Sequence, residues 1–167
     1  MNEYLLTINK FSRPGRKSTR PKTTLTLHWT QWPNGTAHQV RADWESKKDY
    51  TGPAKPFGAA HIVIDDTESL LCIPLDEVAY HCGIPMGNET SIGIELCVKD
   101  KEGTMSLAAL DRAVEVCAEL CRQFNIPPEK ILRHYDWSKK VCPKWFVDHP
   151  DEFEQFKKDV KDLLRPA

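Results

Sequence analysis

An imidazole and a thiol stand close together in the ten residues His134-Tyr135-Asp136-Trp137-Ser138-Lys139-Lys140-Val141-Cys142-Pro143, with two ammonium groups between them. A second imidazole, His28, lies near the end of the run Thr24-Leu25-Thr26-Leu27-His28-Trp29-Thr30, which alternates like a strand. Two imidazoles and one thiolate make a three-ligand set for zinc. The fourth tetrahedral position then stays open, which distinguishes a catalytic zinc from a structural one. With one thiolate the site keeps a charge of about +1, so it can polarise a carbonyl and bring a water pKa down toward ~7. The seven residues between His134 and Cys142 match no zinc-finger spacing. Taken alone they also suit an unrelated surface histidine and cysteine, or a Cys142 nucleophile served by His134. Both chemical readings point to hydrolysis.

Glu95 is the next candidate. A carboxylate inside the apolar run Ile92-Gly93-Ile94-Glu95-Leu96 is costly to bury unless it is paired or used. Burial raises a carboxylate pKa, which suits a general base working near neutrality, while a salt-bridge partner is the structural alternative. Lys140, two residues before Cys142, is a candidate clamp for an oxyanion, or else a solvated lysine beside Lys139. Trp29 and Trp137 flank the candidate ligands and could floor a groove or pack beneath the site. His81 precedes Gly83 on a loop and either touches substrate or makes a local turn hydrogen bond. His61 reads as a core or ligand-supporting histidine, and His38 and His149 as surface residues.

These groups need a scaffold. Met1 to Asn9 reads as an edge strand. Lys10 to Lys22, with Lys10, Arg13, Arg16, Lys17, Arg20 and Lys22, reads as a solvated basic loop, or as a rim attracting an anionic polymer. Thr36 caps an expected helix over 37–46. Strands are expected over 59–64, 70–73 and 91–98, the last buried on both faces because it does not alternate. Leu107, Leu110, Val114, Cys117, Cys121 and Phe124 recur at helical spacing between Ser106 and Asn125. Phe153, Phe156, Val160, Leu163 and Leu164 mark a last helix opened near Pro150. The segment carrying His134 and Cys142 lacks helical periodicity.

With 167 residues, 40% hydrophobic and 28% charged, the chain reads as one globular domain over 1–167. A net charge of -1 gives no global attraction to nucleic acid. No apolar run approaches the ~18 residues of a membrane span. Met1-Asn2-Glu3-Tyr4 lacks the basic-then-apolar layout of a secretory leader, so synthesis in the cytoplasm is expected. Of the six cysteines, all but Cys142 are expected to be reduced core residues.

Five motifs occur in a telling order: Leu27-His28-Trp29-Thr30; Ala60-His61-Ile62-Val63; Ala79-Tyr80-His81-Cys82-Gly83; Asn88 with Ser91-Ile92-Gly93-Ile94-Glu95; and His134 to Pro143. In this set, from about Thr24 to Trp145, the chain resembles the zinc N-acetylmuramoyl-L-alanine amidases. That family includes phage and prophage endolysin catalytic domains and peptidoglycan recognition proteins. The resemblance implies a single α/β domain with a central, mostly parallel or mixed sheet flanked by helices. It further implies zinc on His28, His134 and Cys142, and cleavage of the amide between the muramic acid lactyl group and L-alanine. Glu95 would face the zinc water, and Lys140 rather than Lys139 would hold the oxyanion.

Peptidoglycan is the implied partner, met by a monomer that reaches the wall after release and does not insert into a membrane. One family branch carries a tyrosine before the central-strand histidine; here Ala60 stands there, so more of the water activation falls on Glu95. A non-catalytic peptidoglycan-binding module on the same fold is the rival reading. Such relatives commonly replace the metal cysteine with serine, and Cys142 argues against it.

Overall fold

The computed structural model describes residues 1–166. Six strands share one sheet: β1 (Asn2–Glu3), β2 (Thr24–Pro33), β3 (Ile62–Ile64), β4 (Ser69–Leu71), β5 (Ser91–Val98) and β6 (Ile131–Arg133). Their order across the sheet is β1-β4-β3-β5-β2-β6, and every neighbouring pair is parallel except β3 with β4. Helices α1 (Ala37–Ser46), α2 (Pro85–Thr90), α3 (Leu107–Phe124), α4 (His134–Ser138), α5 (Lys144–Asp148) and α6 (Pro150–Leu164) complete the single α/β domain.

Strand alternation sorts the side chains between two cores. Leu25 and Leu27 of β2 and Ile92, Ile94 and Leu96 of β5 face α3, α5 and α6, in one core with Val114, Cys117, Phe146, Phe153 and Phe156. The opposite face carries Thr26 and His28 on β2 and Gly93, Glu95 and Cys97 on β5. Here Val63, Val40, Trp44 and Leu6 form a second, smaller core beneath α1. The parallel register sets His28 beside Glu95. The two polar residues expected to do chemistry therefore leave neighbouring strands on the same side.

The long helices follow from their sequence signals. Ser106 caps α3 by accepting from the Ala109 amide, and Asn125 ends it in a left-handed turn at φ 53°. Pro150 opens α6. Thr36 and Gln39 form a reciprocal capping box on α1.

Short elements depart from expectation. The edge strand over 1–9 shrinks to β1, although the Tyr4 and Leu6 amides still donate to Leu71 and Cys72. Ala59 and Ala60 lie outside β3. The 70–73 strand becomes β4, because the Cys72 and Ile73 amides both turn to the His61 carbonyl and end the ladder. The 134–138 segment is helical after all: the Asp136 carboxylate caps the start of α4 through the Arg133 amide at 2.8 Å. All six cysteines are free and buried.

The basic loop over 10–22 does not present all its cations to solvent. Arg13 pairs with buried Glu77 at 2.9 Å, and Lys17 reaches Asp76. Lys22 is buried and donates to the Glu77 and Glu89 carbonyls at 3.0 and 2.8 Å. Arg13 and Lys22, two of the loop's six cations, are thus structural, while the Lys17 pair stays exposed.

Burial lowers the Lys22 ammonium from 10.5 to about 8, against the pull of Glu89 and Asp76. Between those two values the unfolded chain keeps a proton that the folded chain has released, so the Lys22 contribution to stability rises with pH. We expect the unfolding free energy of wild type to gain on that of Lys22→Met as pH rises from about 8 to 10.5, and to run parallel below it, in urea titrations across that range.

Candidate metal centre and active site

The cleft opens over the middle of β2 and β5, beside the loop after α4. His28, His134 and Cys142 are all buried there, and one donor atom from each lies within 4.8 Å of the others. His28 Nδ1 is 3.1 Å from His134 Nδ1 and 3.7 Å from Cys142 Sγ. Desolvation pushes the His28 pKa well down, helped by His81, His134 and Lys140. Burial and Lys140 also lower His134, against a backbone hydrogen bond at Cys82. Both rings are therefore neutral, the form that ligates a metal.

Two imidazole nitrogens crowded at 3.1 Å beside a sulfur make a poor arrangement unless something positive lies between them. Burial and the nearby Glu95 charge push the Cys142 thiol up to about 12, so without a cation it stays protonated. A dication would convert it to thiolate. The donor set fits a soft-to-borderline dication with nitrogen and sulfur ligands, zinc first.

Glu95 lies partly buried in the same cleft, which measures about 200 Å³. Burial raises its pKa from 4.5 to about 7, while Lys140 and Lys47 pull it down by charge alone. Lys140 lines the cleft, whereas Lys139 points its ammonium over the Tyr135 ring, 5.0 Å from the centroid. A wider groove of about 610 Å³ continues past Phe57, Tyr80 and Asn88.

Against this geometry stand the known proteins. The family model described as N-acetylmuramoyl-L-alanine amidase matches residues 18–145. The chain belongs to this family. It is 34% identical to the N-acetylmuramoyl-L-alanine amidase BlyA of Bacillus subtilis over 96% of its own length. The N-acetylmuramoyl-L-alanine amidase CwlL of Bacillus licheniformis is 31% identical over 94%. The chain spans under half of each of these relatives, 46% and 45%. Among solved structures, a mutant endolysin from Bacillus subtilis superposes with TM-score 0.77 at 26% identity, covering 95% of this chain and 97% of that one. The catalytic domain of XlyA superposes with TM-score 0.76, also at 26% identity, covering 96% and 99%. The fold is that of amidase endolysin catalytic domains.

Within this amidase domain the expected substrate-contacting residues divide. Trp29 lines the cleft, with its buried indole Nε1 lacking a protein partner among the described residues. Trp137 takes up packing contacts: its Nε1 donates to Thr26 Oγ1 at 2.9 Å and its ring lies against Gly87. His81 borders the cleft, but both its nitrogens are engaged, at 2.9 Å by His28 Nε2 and at 3.3 Å by the Ser91 carbonyl. It has no polar atom left for substrate. His61 lies in the core, accepting from the Gly93 amide at 3.0 Å and donating to the Glu77 carbonyl at 2.9 Å.

Lys47 and Tyr80 also line the amidase cleft and escaped the sequence reading. Lys47 is tethered to the Gly58 carbonyl at 2.5 Å. In Ser46-Lys47-Lys48-Asp49 nothing separates it from a solvated lysine. The aromatic Tyr80 beside the His81 motif was the one available signal for the groove.

The amidase geometry predicts a thiolate–metal bond. Titrating the metal-free wild type with cobalt(II) is expected to give sulfur-to-metal charge-transfer absorption in the near ultraviolet, and Cys142→Ser to lose it. The same band in the folded serine variant would remove Cys142 from the donor set.

Proposed function

We propose that this chain hydrolyses the amide joining the lactyl group of N-acetylmuramic acid to L-alanine in peptidoglycan. We propose zinc as the metal, held by His28, His134 and Cys142. The observation that carries the reading is the convergence of two neutral imidazoles and a thiol beside a carboxyl group poised at about 7. When bound, zinc would supply a Lewis acid that polarises the scissile carbonyl and acidifies water.

The chain's own residues supply the rest. Glu95 takes a proton from the attacking water as the new carbon–oxygen bond forms. The Lys140 ammonium, on the cleft wall, offers positive charge and donors to the oxyanion that develops on the lactyl carbonyl. When the carbon–nitrogen bond breaks, Glu95 returns its proton to the departing alanine nitrogen. The water is thus divided between the new carboxylic acid and the new amine. Lys47, on the other side of Glu95, helps hold its carboxyl group near neutrality. The open groove past Phe57 and Tyr80 leaves room for the glycan and stem peptide on either side of the scissile bond.

The reading is tested by digesting purified peptidoglycan and following new free N-terminal L-alanine by mass spectrometry. Wild type is expected to release it, to stop when a chelator removes the metal, and to resume on zinc addition. Glu95→Gln is expected to keep stoichiometric zinc yet lose activity by roughly 100-fold or more. Wild-type turnover by that variant would remove Glu95 from the mechanism. Release of reducing sugar with no free alanine would overturn the amidase reading.

A further inference from the structure

We propose that His81 is a positioning residue that fixes the tautomer of His28 and so presents the His28 Nδ1 lone pair to the metal. The proposal rests on the zinc reading above and concerns a residue that touches neither metal nor substrate.

The argument starts at a backbone carbonyl. The Ser91 oxygen can only accept, and His81 Nε2 lies 3.3 Å from it, so that nitrogen carries the ring's hydrogen. A neutral imidazole carries one such hydrogen, which leaves His81 Nδ1 as an acceptor. His28 Nε2 lies 2.9 Å from that nitrogen and must therefore donate to it. The two rings cross at 86°, with centroids 5.1 Å apart. With its hydrogen committed at Nε2, His28 is left with a bare Nδ1. That is the atom facing His134 Nδ1 and Cys142 Sγ.

The far end of the relay is itself anchored. Ser91 Oγ lies 3.2 Å from the Thr24 carbonyl, which only accepts, so the Ser91 hydroxyl donates there. Thr26 Oγ1, 2.6 Å from Ser91 Oγ, then supplies the hydrogen between the two hydroxyls and accepts in turn from Trp137 Nε1 at 2.9 Å. Every hydrogen in this set has a single direction. Ser91 and Thr26 are fully buried, so water offers no alternative partner.

The His81 ring has been given its place from two more sides. Asn88 Oδ1 accepts from the His81 and Cys82 amides, both at 3.0 Å, and pins the backbone. A Cβ at Gly93 would stand 2.6 Å from His81 Cγ and 2.8 Å from Nδ1, so only glycine leaves the ring room over β5. The roles of Asn88, Ser91 and Gly93 in one sequence motif thus converge on a single imidazole.

The test reads protons before activity. Long-range ¹H–¹⁵N spectra of the metal-free wild type are expected to show both His28 and His81 with hydrogen on Nε2; hydrogen on His28 Nδ1 would overturn the proposal without any variant. In competition with a chromophoric chelator, His81→Phe, which cannot accept a hydrogen bond, is expected to bind zinc 10- to 100-fold more weakly than wild type. His81→Gln, whose carbonyl can accept from His28 and whose amide can donate to Ser91, is expected to recover most of the loss. Circular dichroism of the metal-free proteins checks that each is folded, and should the phenylalanine variant be unfolded the wild-type spectra decide alone. If wild type and a folded His81→Phe bind zinc equally, the role of His81 falls and the zinc reading stands. If wild type itself binds no zinc, the zinc reading falls first and takes this one with it.

Discussion

The parallel pairing of β2 with β5 is the constraint on which the site depends. Residues opposite each other in a parallel pair project to the same face, and the pairing of His28 with Glu95 sends an imidazole and a carboxyl group out together. The same alternation sends Leu25, Leu27, Ile92, Ile94 and Leu96 into the main core. A one-residue slip of either strand would move all of that strand's side chains to the wrong face. The apolar contacts that hold the register therefore also hold the chemistry. His134 and Cys142 are added from outside the sheet, on a helix and loop that follow β6, the strand beside β2.

Burial then sets the electrostatic character of the cleft. Desolvation disfavours charge on four groups here: it pushes the His28 and His134 pKa values down and the Glu95 and Cys142 values up. A pocket of four such groups is electrically quiet by itself, and a dication reverses the preference at the thiol. Such a pocket costs stability in the metal-free chain, and ion binding to the folded state would offset that cost.

What could be read beforehand divides by physical range. The long elements were legible, because a period of 3.6 in α3 and α6 and an apolar run in β5 are repeated many times over. The strand β6 and the helices α2, α4 and α5, none longer than six residues, were not, while β3 and β4 showed only as the wider runs 59–64 and 70–73. A period needs more than one or two turns to declare itself. A single local bond can decide such a segment, as the Arg133–Asp136 cap, three residues apart, decides α4. In the site, donor chemistry offered His28, His134, Cys142 and Glu95 as candidates with alternatives still open, and the order of the five motifs chose among them. For Trp137 both readings stayed open because an indole fits a substrate floor and a packing position equally well, and its bond to the Thr26 hydroxyl could not be read from the sequence. Lys47 was silent because its tether is a backbone carbonyl eleven residues away.

The two cations around Glu95 differ in a way that bears on its role. Lys140 sits on an exposed stretch of loop, while Lys47 is held to the Gly58 carbonyl with its ammonium partly desolvated. Burial alone would push the carboxyl group further up and leave it a poor base at neutral pH. Strong pairing with either lysine would pull it down to an ordinary carboxylate, a weak proton acceptor. Charge acting through space from the two lysines leaves it near 7, where gaining and losing a proton cost similar free energy. A group that must take a proton from water and give it back to an amine needs that balance, and here the balance comes from placing Glu95 in mid-strand within the field of Lys47, just past α1, and Lys140, on the loop after α4.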